Sequence, residues 1–254
     1  MKLFLGKRGI VKMIEIKNFS KSYVEGVKAV NNLSLTIEDG DLCAFVGLNG
    51  AGKSTTIKAL MGILPFEEGT IMVDGKDIKS DPIEIKKVMA YVPDNPEVYA
   101  FMKGIDYIKF ILSIYGCPFN EEEMESFAKE LGIYNNLGDL VSSYSHGMKQ
   151  KIVLLAAFLH HPKILVLDEP FVGLDPMATH LLKEKMKEYT KLGNTVFFST
   201  HVLEVAEKLC NKVAIIKKGE LVASGNMEEV IKDHSLEDVF LEIFNKAEEN
   251  VTNE

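Results

Sequence analysis

Leu42-Cys43-Ala44-Phe45-Val46-Gly47-Leu48-Asn49-Gly50-Ala51-Gly52-Lys53-Ser54 joins a continuous apolar run to a glycine-rich turn. Such a run reads as a strand buried on both faces, as in a parallel sheet. The turn matches GxxxxGK[ST], and a helix is expected after it, from about Lys53 to Gly62. Gly47, Gly50 and Gly52 let backbone N–H groups turn inward around phosphate oxygens, and Leu48, Asn49 and Ala51 complete the loop. The helix N-terminus adds its positive dipole end. Lys53 can reach the β and γ phosphates, and the Ser54 hydroxyl can ligate Mg²⁺. Thr55 follows in the same first turn and joins the phosphate-binding set.

Strands and helices alternate on both sides of this stretch. Ile14-Glu15-Ile16 and Leu33-Ser34-Leu35-Thr36-Ile37 alternate as half-buried strands. Thr70 to Gly75 and Val88 to Val92 are two more strands, the second stopped by Pro93 and Pro96. From about Glu97 to Leu159 the pattern is helical, with an apolar stripe through Ile105, Ile108, Phe110, Ile111, Leu112 and Ile114. Asn120 is a good N-cap for Glu121 to Leu131, with Glu123 at the capping-box position. Buried strands resume at Ile164 to Leu167, Thr195 to Ser199 and Val213 to Ile216, with a helix from Met177 to Leu192 between the first two. A last helix is expected from Ser235 to Lys246. The reading is an α/β fold, a mostly parallel core with a helical insertion over about 97–160.

Composition narrows the partners. The 254 residues are 46% hydrophobic and 26% charged, ordinary for a globular chain and too apolar for disorder. The net charge of -8 argues against nucleic acid as a partner. Cys43, Cys117 and Cys210 lie far apart without a CxxC pair, which fits a reducing cytosol and excludes a cysteine zinc site. The longest apolar run, Ile152 to Leu159, is far short of the roughly 20 residues of a membrane span. Residues 1–12 read as an N-terminal extension ahead of a strand opening at Met13, or as a basic foot on an anionic membrane surface. Residues 245–254 read as an acidic tail.

Asp168-Glu169 follows the apolar strand Ile164 to Leu167, and ligands of parallel sheets sit outside the carboxyl ends of strands. Asp168 can hold Mg²⁺ through water and Glu169 can polarise an attacking water. Alone, an acidic pair at a strand end is usually a solvated turn; beside a phosphate loop it is a candidate site. His201 ends the strand finishing Phe198-Ser199-Thr200, 32 residues after Glu169. Tyr144-Ser145-His146-Gly147-Met148 opens a helix and on its own reads as an N-cap.

Taken in order, these motifs resemble an ATP-binding cassette (ABC) ATPase, the nucleotide-binding subunit of a membrane transporter, over residues 13–244. Tyr144 to Met148 stands where that family carries LSGGQ, 23 residues before Asp168, with Tyr144, His146 and Met148 departing from it. Val172-Gly173-Leu174-Asp175 resembles the loop that lies at the family's dimer interface. Tyr91 to Pro96, Ser145 to Gln150, Asp168 to Phe171 and Leu236 to Phe240 resemble exporters of the bacitracin-resistance and Ecs types.

The resemblance implies a P-loop NTPase core with an antiparallel β subdomain and an inserted helical subdomain. It implies ATP and Mg²⁺ as ligands, Glu169 and His201 as catalytic residues, and Tyr23, 30 residues before Lys53, stacked on adenine. Ser145 and Gly147 would reach the nucleotide of a second copy in a head-to-tail dimer. A separate integral membrane permease would take the transport path, leaving this chain cytoplasmic and peripheral on the inner face of the cell membrane. The alternative is a soluble cassette of the translation or repair type, but neither a second cassette nor long coiled coils appear here. Importer cassettes often add a C-terminal β domain, which ranks import below export. Asp94 stands where most cassettes carry Gln; it reads as a Mg²⁺ ligand, or alternatively as the cap of a helix starting near Glu97.

Overall fold

A computed structural model describes residues 11–249. The expectations for residues 1–10 and for the last five residues of the tail lie outside the described residues. The chain opens with β1 (Lys12–Val24) and β2 (Val27–Glu38), an antiparallel hairpin that turns at Glu25-Gly26. Then come β3 (Leu42–Val46), α1 (Lys53–Leu60), β4 (Glu68–Val73), β5 (Lys76–Asp77), α2 (Pro82–Val88) and β6 (Met89–Val92). The helical insertion holds α3 (Gly104–Tyr115), α4 (Glu121–Glu130) and α5 (His146–Leu159). The core resumes with β7 (Ile164–Leu167), α6 (Pro176–Lys191), β8 (Thr195–Thr200), α7 (Leu203–Leu209) and β9 (Lys212–Lys217). The antiparallel return β10 (Glu220–Asn226), α8 (Met227–Ile231) and α9 (Leu236–Glu249) close the described chain.

Two sheets result. One is antiparallel, in the order β2-β1-β4-β5, and the other has six strands in the order β10-β9-β3-β8-β7-β6. Every neighbour pair in the second sheet is parallel except β9 with β10. All five residues of β3 are buried. Successive side chains point to opposite faces. Leu42, Ala44 and Val46 therefore enter a core with the helical insertion, α6 and α9. Cys43 and Phe45 enter a separate core with α1, α2 and the antiparallel sheet.

The structure corrects several expectations. The helical pattern from Glu97 begins only at Gly104, and 97–103 is irregular. Asp94 therefore caps no helix near Glu97; its Oδ1 accepts from the neighbouring Asn95 N–H at 2.8 Å. In α3 the stripe splits: Ile108 and Leu112 are buried, while Phe110 and Ile114 are exposed. α2, with Pro82 at its first turn, was hidden by its charged residues. The first strand already begins at Lys12, and the final helix continues through Glu249. As expected, Asn120 caps α4, accepting from Glu123 N–H at 3.2 Å.

Candidate active site

The carboxyl ends of β3, β6, β7 and β8 meet at one rim. The phosphate loop leaves β3 and enters α1 there, with Gly52 as N-cap at φ 108. A Cβ at Gly52 would lie 2.8 Å from the Ala29 carbonyl oxygen, so only glycine lets the loop pass under β2. The loop is pinned from below, because Gly219 N–H donates to Ala51 O at 2.9 Å. It borders a cleft of about 340 Å³ lined by residues 48–55 together with Tyr23, Ala29, Asp94 and Glu169.

Lys53 is buried, and its charge is satisfied locally. Nζ donates to Gly47 O at 2.7 Å and lies 3.5 Å from Glu169 Oε1. The other oxygen of Glu169 is 2.9 Å from His201 Nδ1. One carboxylate thus spans the phosphate-loop lysine and the histidine after β8. Glu169 holds a left-handed backbone, φ 47, uncommon for a residue other than glycine. Its N–H donates to Ser199 Oγ at 2.9 Å, which fixes that conformation.

Asp168 is fully buried. Its Oδ1 accepts from the Ser199 hydroxyl at 2.5 Å, while Oδ2 has no hydrogen-bond partner among the described residues. Burial pushes its carboxyl above the ordinary carboxylate value; the Ser199 and Ser54 hydroxyls oppose the rise, and the Asp94 and Glu169 charges add to it. An orphaned carboxylate oxygen beside a serine hydroxyl suits a hard divalent cation. Among the described residues no group of three or more His, Cys, Asp or Glu side chains could hold a metal alone. Ser54 and Asp168 would therefore suit Mg²⁺ only as partial ligands.

Tyr23 ends β1 with its ring exposed, and its hydroxyl lies 3.2 Å from Thr55 Oγ1. Lys53, Ser54, Asp94, Asp168, Glu169 and His201 thus lie together at this rim. Ser145 and Gly147 do not: they sit on α5 outside this cleft. Ser145 caps α5 by accepting from Met148 N–H at 3.2 Å. A Cβ on Gly173, at φ 79, would lie 2.5 Å from His146 Cδ2, so the signature and the loop after Glu169 pack as one surface. Lys151 ties the same two segments with a 2.6 Å bond to Asp175. Ser199 and Tyr91 escaped the sequence reading. The available signal was a serine just after the apolar run Val196-Phe197-Phe198 and a tyrosine on the strand at the other side of β7.

Comparison with known proteins agrees with this geometry. Residues 30–172 match the family described as ABC transporter. The chain is 34% identical over 238 residues to the ABC-type transporter ATP-binding protein EcsA of Bacillus subtilis (strain 168), covering 91% of this chain and 96% of that one. It superposes on a solved ATP-binding subunit of an ABC transporter with TM-score 0.85 and 31% identity, over 91% of this chain and 99% of that one. It also superposes on cbiO1 from Clostridium perfringens, described as part of the ABC transporter complex cbiONQ, with TM-score 0.71 and 26% identity over 87% and 90% of the two chains. With the phosphate loop and the acidic pair held on one rim and these relatives matched over most of its length, the chain belongs to the ABC transporter family, as an ATP-hydrolysing nucleotide-binding subunit.

Proposed function

We propose that Glu169 is the general base for ATP hydrolysis in this cleft. The observation that carries this is its carboxylate, held between Lys53 and His201 at 3.5 and 2.9 Å. Lys53 and the backbone of residues 47–52 bind the triphosphate, Thr55 adds a hydroxyl, and Tyr23 stacks on the base. Ser54 and Asp168, with Asp94 at the rim, hold Mg²⁺, which when bound neutralises phosphate charge. Glu169 accepts the proton of the attacking water, and His201 holds that water against the γ-phosphate.

Two copies pair head to tail. Ser145 is exposed and lies outside its own chain's cleft; its hydroxyl accepts from Met148 N–H but keeps its own proton to donate, so with Gly147 it completes the site of the other copy. The subunit works beneath a separate membrane permease on the cytoplasmic face, and no helix among the described residues is long and apolar enough to cross a membrane. Tyr99, Phe101, Phe110 and Ile114 form an exposed apolar patch beside the Asp94 loop, suited to a cytoplasmic helix of the permease. Export is the direction that the stretches around Asp94, Ser145 and Asp168 favour.

Glu169→Gln keeps the shape and removes the base. Steady-state hydrolysis should fall about 10²–10⁴-fold while ATP still binds. Turnover near the parent rate would remove Glu169 from the role. Lys53→Ala should abolish tight Mg-ATP binding by calorimetry.

A further inference from the structure

Tyr91 lies on β6 opposite Val166 of β7, and Asp168 is two residues beyond Val166. Tyr91 packs against the core that holds Val166 and Phe197, and Asp168, just past the end of β7, bonds to Ser199, which shares a face of β8 with Phe197, so Tyr91 and Asp168 lie on the same side of the sheet. The Tyr91 hydroxyl is buried without a hydrogen-bond partner among the described residues, and so is Asp168 Oδ2. Asp94, three residues after Tyr91, brings its charge close to both. Buried polar atoms are nearly always paired. Here one face of the sheet holds an unpaired donor and an unpaired acceptor, with no direct bond between them. A single internal water would satisfy both, since it accepts from a phenol and donates to a carboxylate.

Resting on the reading that Ser54 and Asp168 hold Mg²⁺, we propose that Tyr91 is a positioning residue for the metal side of the site. Its hydroxyl donates to a water, and that water donates to Asp168 Oδ2. Oδ1 is already fixed by Ser199, so the second contact locks the rotation of the carboxylate. One lone pair of Oδ2 is used by the water, and the other stays directed at the loop where Ser54 stands.

The test is Tyr91→Phe in the full chain, which keeps the ring and deletes only the hydroxyl. Three quantities are measured: the thermal midpoint, nucleotide affinity in EDTA, and Mn²⁺ affinity of the protein–nucleotide complex by electron paramagnetic resonance. Loss of such an outer contact typically weakens metal binding by about 10–100-fold. The expected result is a lower midpoint, metal-free nucleotide affinity within about twofold of the parent, and Mn²⁺ binding weakened on the order of tenfold. Deleting a truly unpaired buried hydroxyl is neutral or stabilising. A midpoint that stays or rises with unchanged Mn²⁺ affinity overturns the proposal, and so does a lower midpoint with unchanged Mn²⁺ affinity. Asp168→Asn separates the two levels of the argument. If it weakens Mn²⁺ binding and Tyr91→Phe does not, only the Tyr91 proposal fails. If Asp168→Asn leaves Mn²⁺ binding intact, the metal reading fails and takes the Tyr91 proposal with it.

Discussion

The Ser199 hydroxyl serves two neighbours at once, donating to Asp168 Oδ1 and accepting from Glu169 N–H. Ser199→Ala leaves both groups unpaired in a buried place, and each such loss costs about 1–3 kcal/mol. Chemical denaturation should show a drop of that order, and hydrolysis should fall because Glu169 loses the bond that fixes its backbone. Asp168 gives a signed pH prediction. Its folded pKa is raised above the ordinary 3.8, so its contribution to stability is complete below 3.8 and is lost as pH rises through the folded value. Asp168→Asn should therefore unfold at a higher temperature than the parent at neutral pH without metal, with the gap closing in acid. Asp94→Asn should raise the Mg²⁺ needed for half-maximal hydrolysis, now that no helix start near Glu97 gives Asp94 a capping role. At this scale Lys53, Ser54, Asp168 and Glu169 were legible because each motif is contiguous. Ser199 and Tyr91 were not, because strand register brings them to Asp168 across the sheet.

Helix termini tie the elements together. Asp175 caps α6, accepting from Ala178 N–H at 2.9 Å, and pairs with Lys151 on α5. The Lys151 ammonium, then the Ala178 N–H, hold its carboxyl below the ordinary 3.8. With a lowered folded pKa, this stabilisation is present above 3.8 and is lost as pH falls through the folded value. Asp175→Ala should cost about 0.5–2 kcal/mol through the cap. Asp175→Asn, which still caps, should lose only the smaller ion-pair part, and thermal unfolding at neutral pH should rank the three. The long apolar and alternating strands were legible from periodicity. α2 was not, because Pro82-Ile83-Glu84-Ile85-Lys86-Lys87-Val88 buries only Ile85 and shows no apolar stripe. Residues 97–103 looked helical because Val98, Tyr99 and Phe101 are apolar, yet Tyr99 and Phe101 pair their rings on the surface.

For the whole molecule, the shared-site proposal predicts complementation. Mixing Lys53→Ala with Ser145→Ala subunits should restore part of the hydrolysis, since each heterodimer keeps one intact composite site. No recovery in proven heterodimers would count against head-to-tail pairing. The α/β layering was legible from the alternation of strands and helices; the split into two cores emerged only from the register of β3. Leu155 lies fully buried in the core under the helical insertion. Leu155→Ala should cost about 2–5 kcal/mol. It should speed amide exchange in α3 and α5 while β1, β2 and β4, across the sheet, keep their protection. The six-stranded sheet thus acts as a partition between the two cores. Side chains on its two faces enter separate cores, so the insertion does not pack directly against α1 and the antiparallel sheet. Under the proposed function, the lip where Asp94, Asp168, Glu169 and His201 stand is where a permease's push on the insertion would meet the nucleotide.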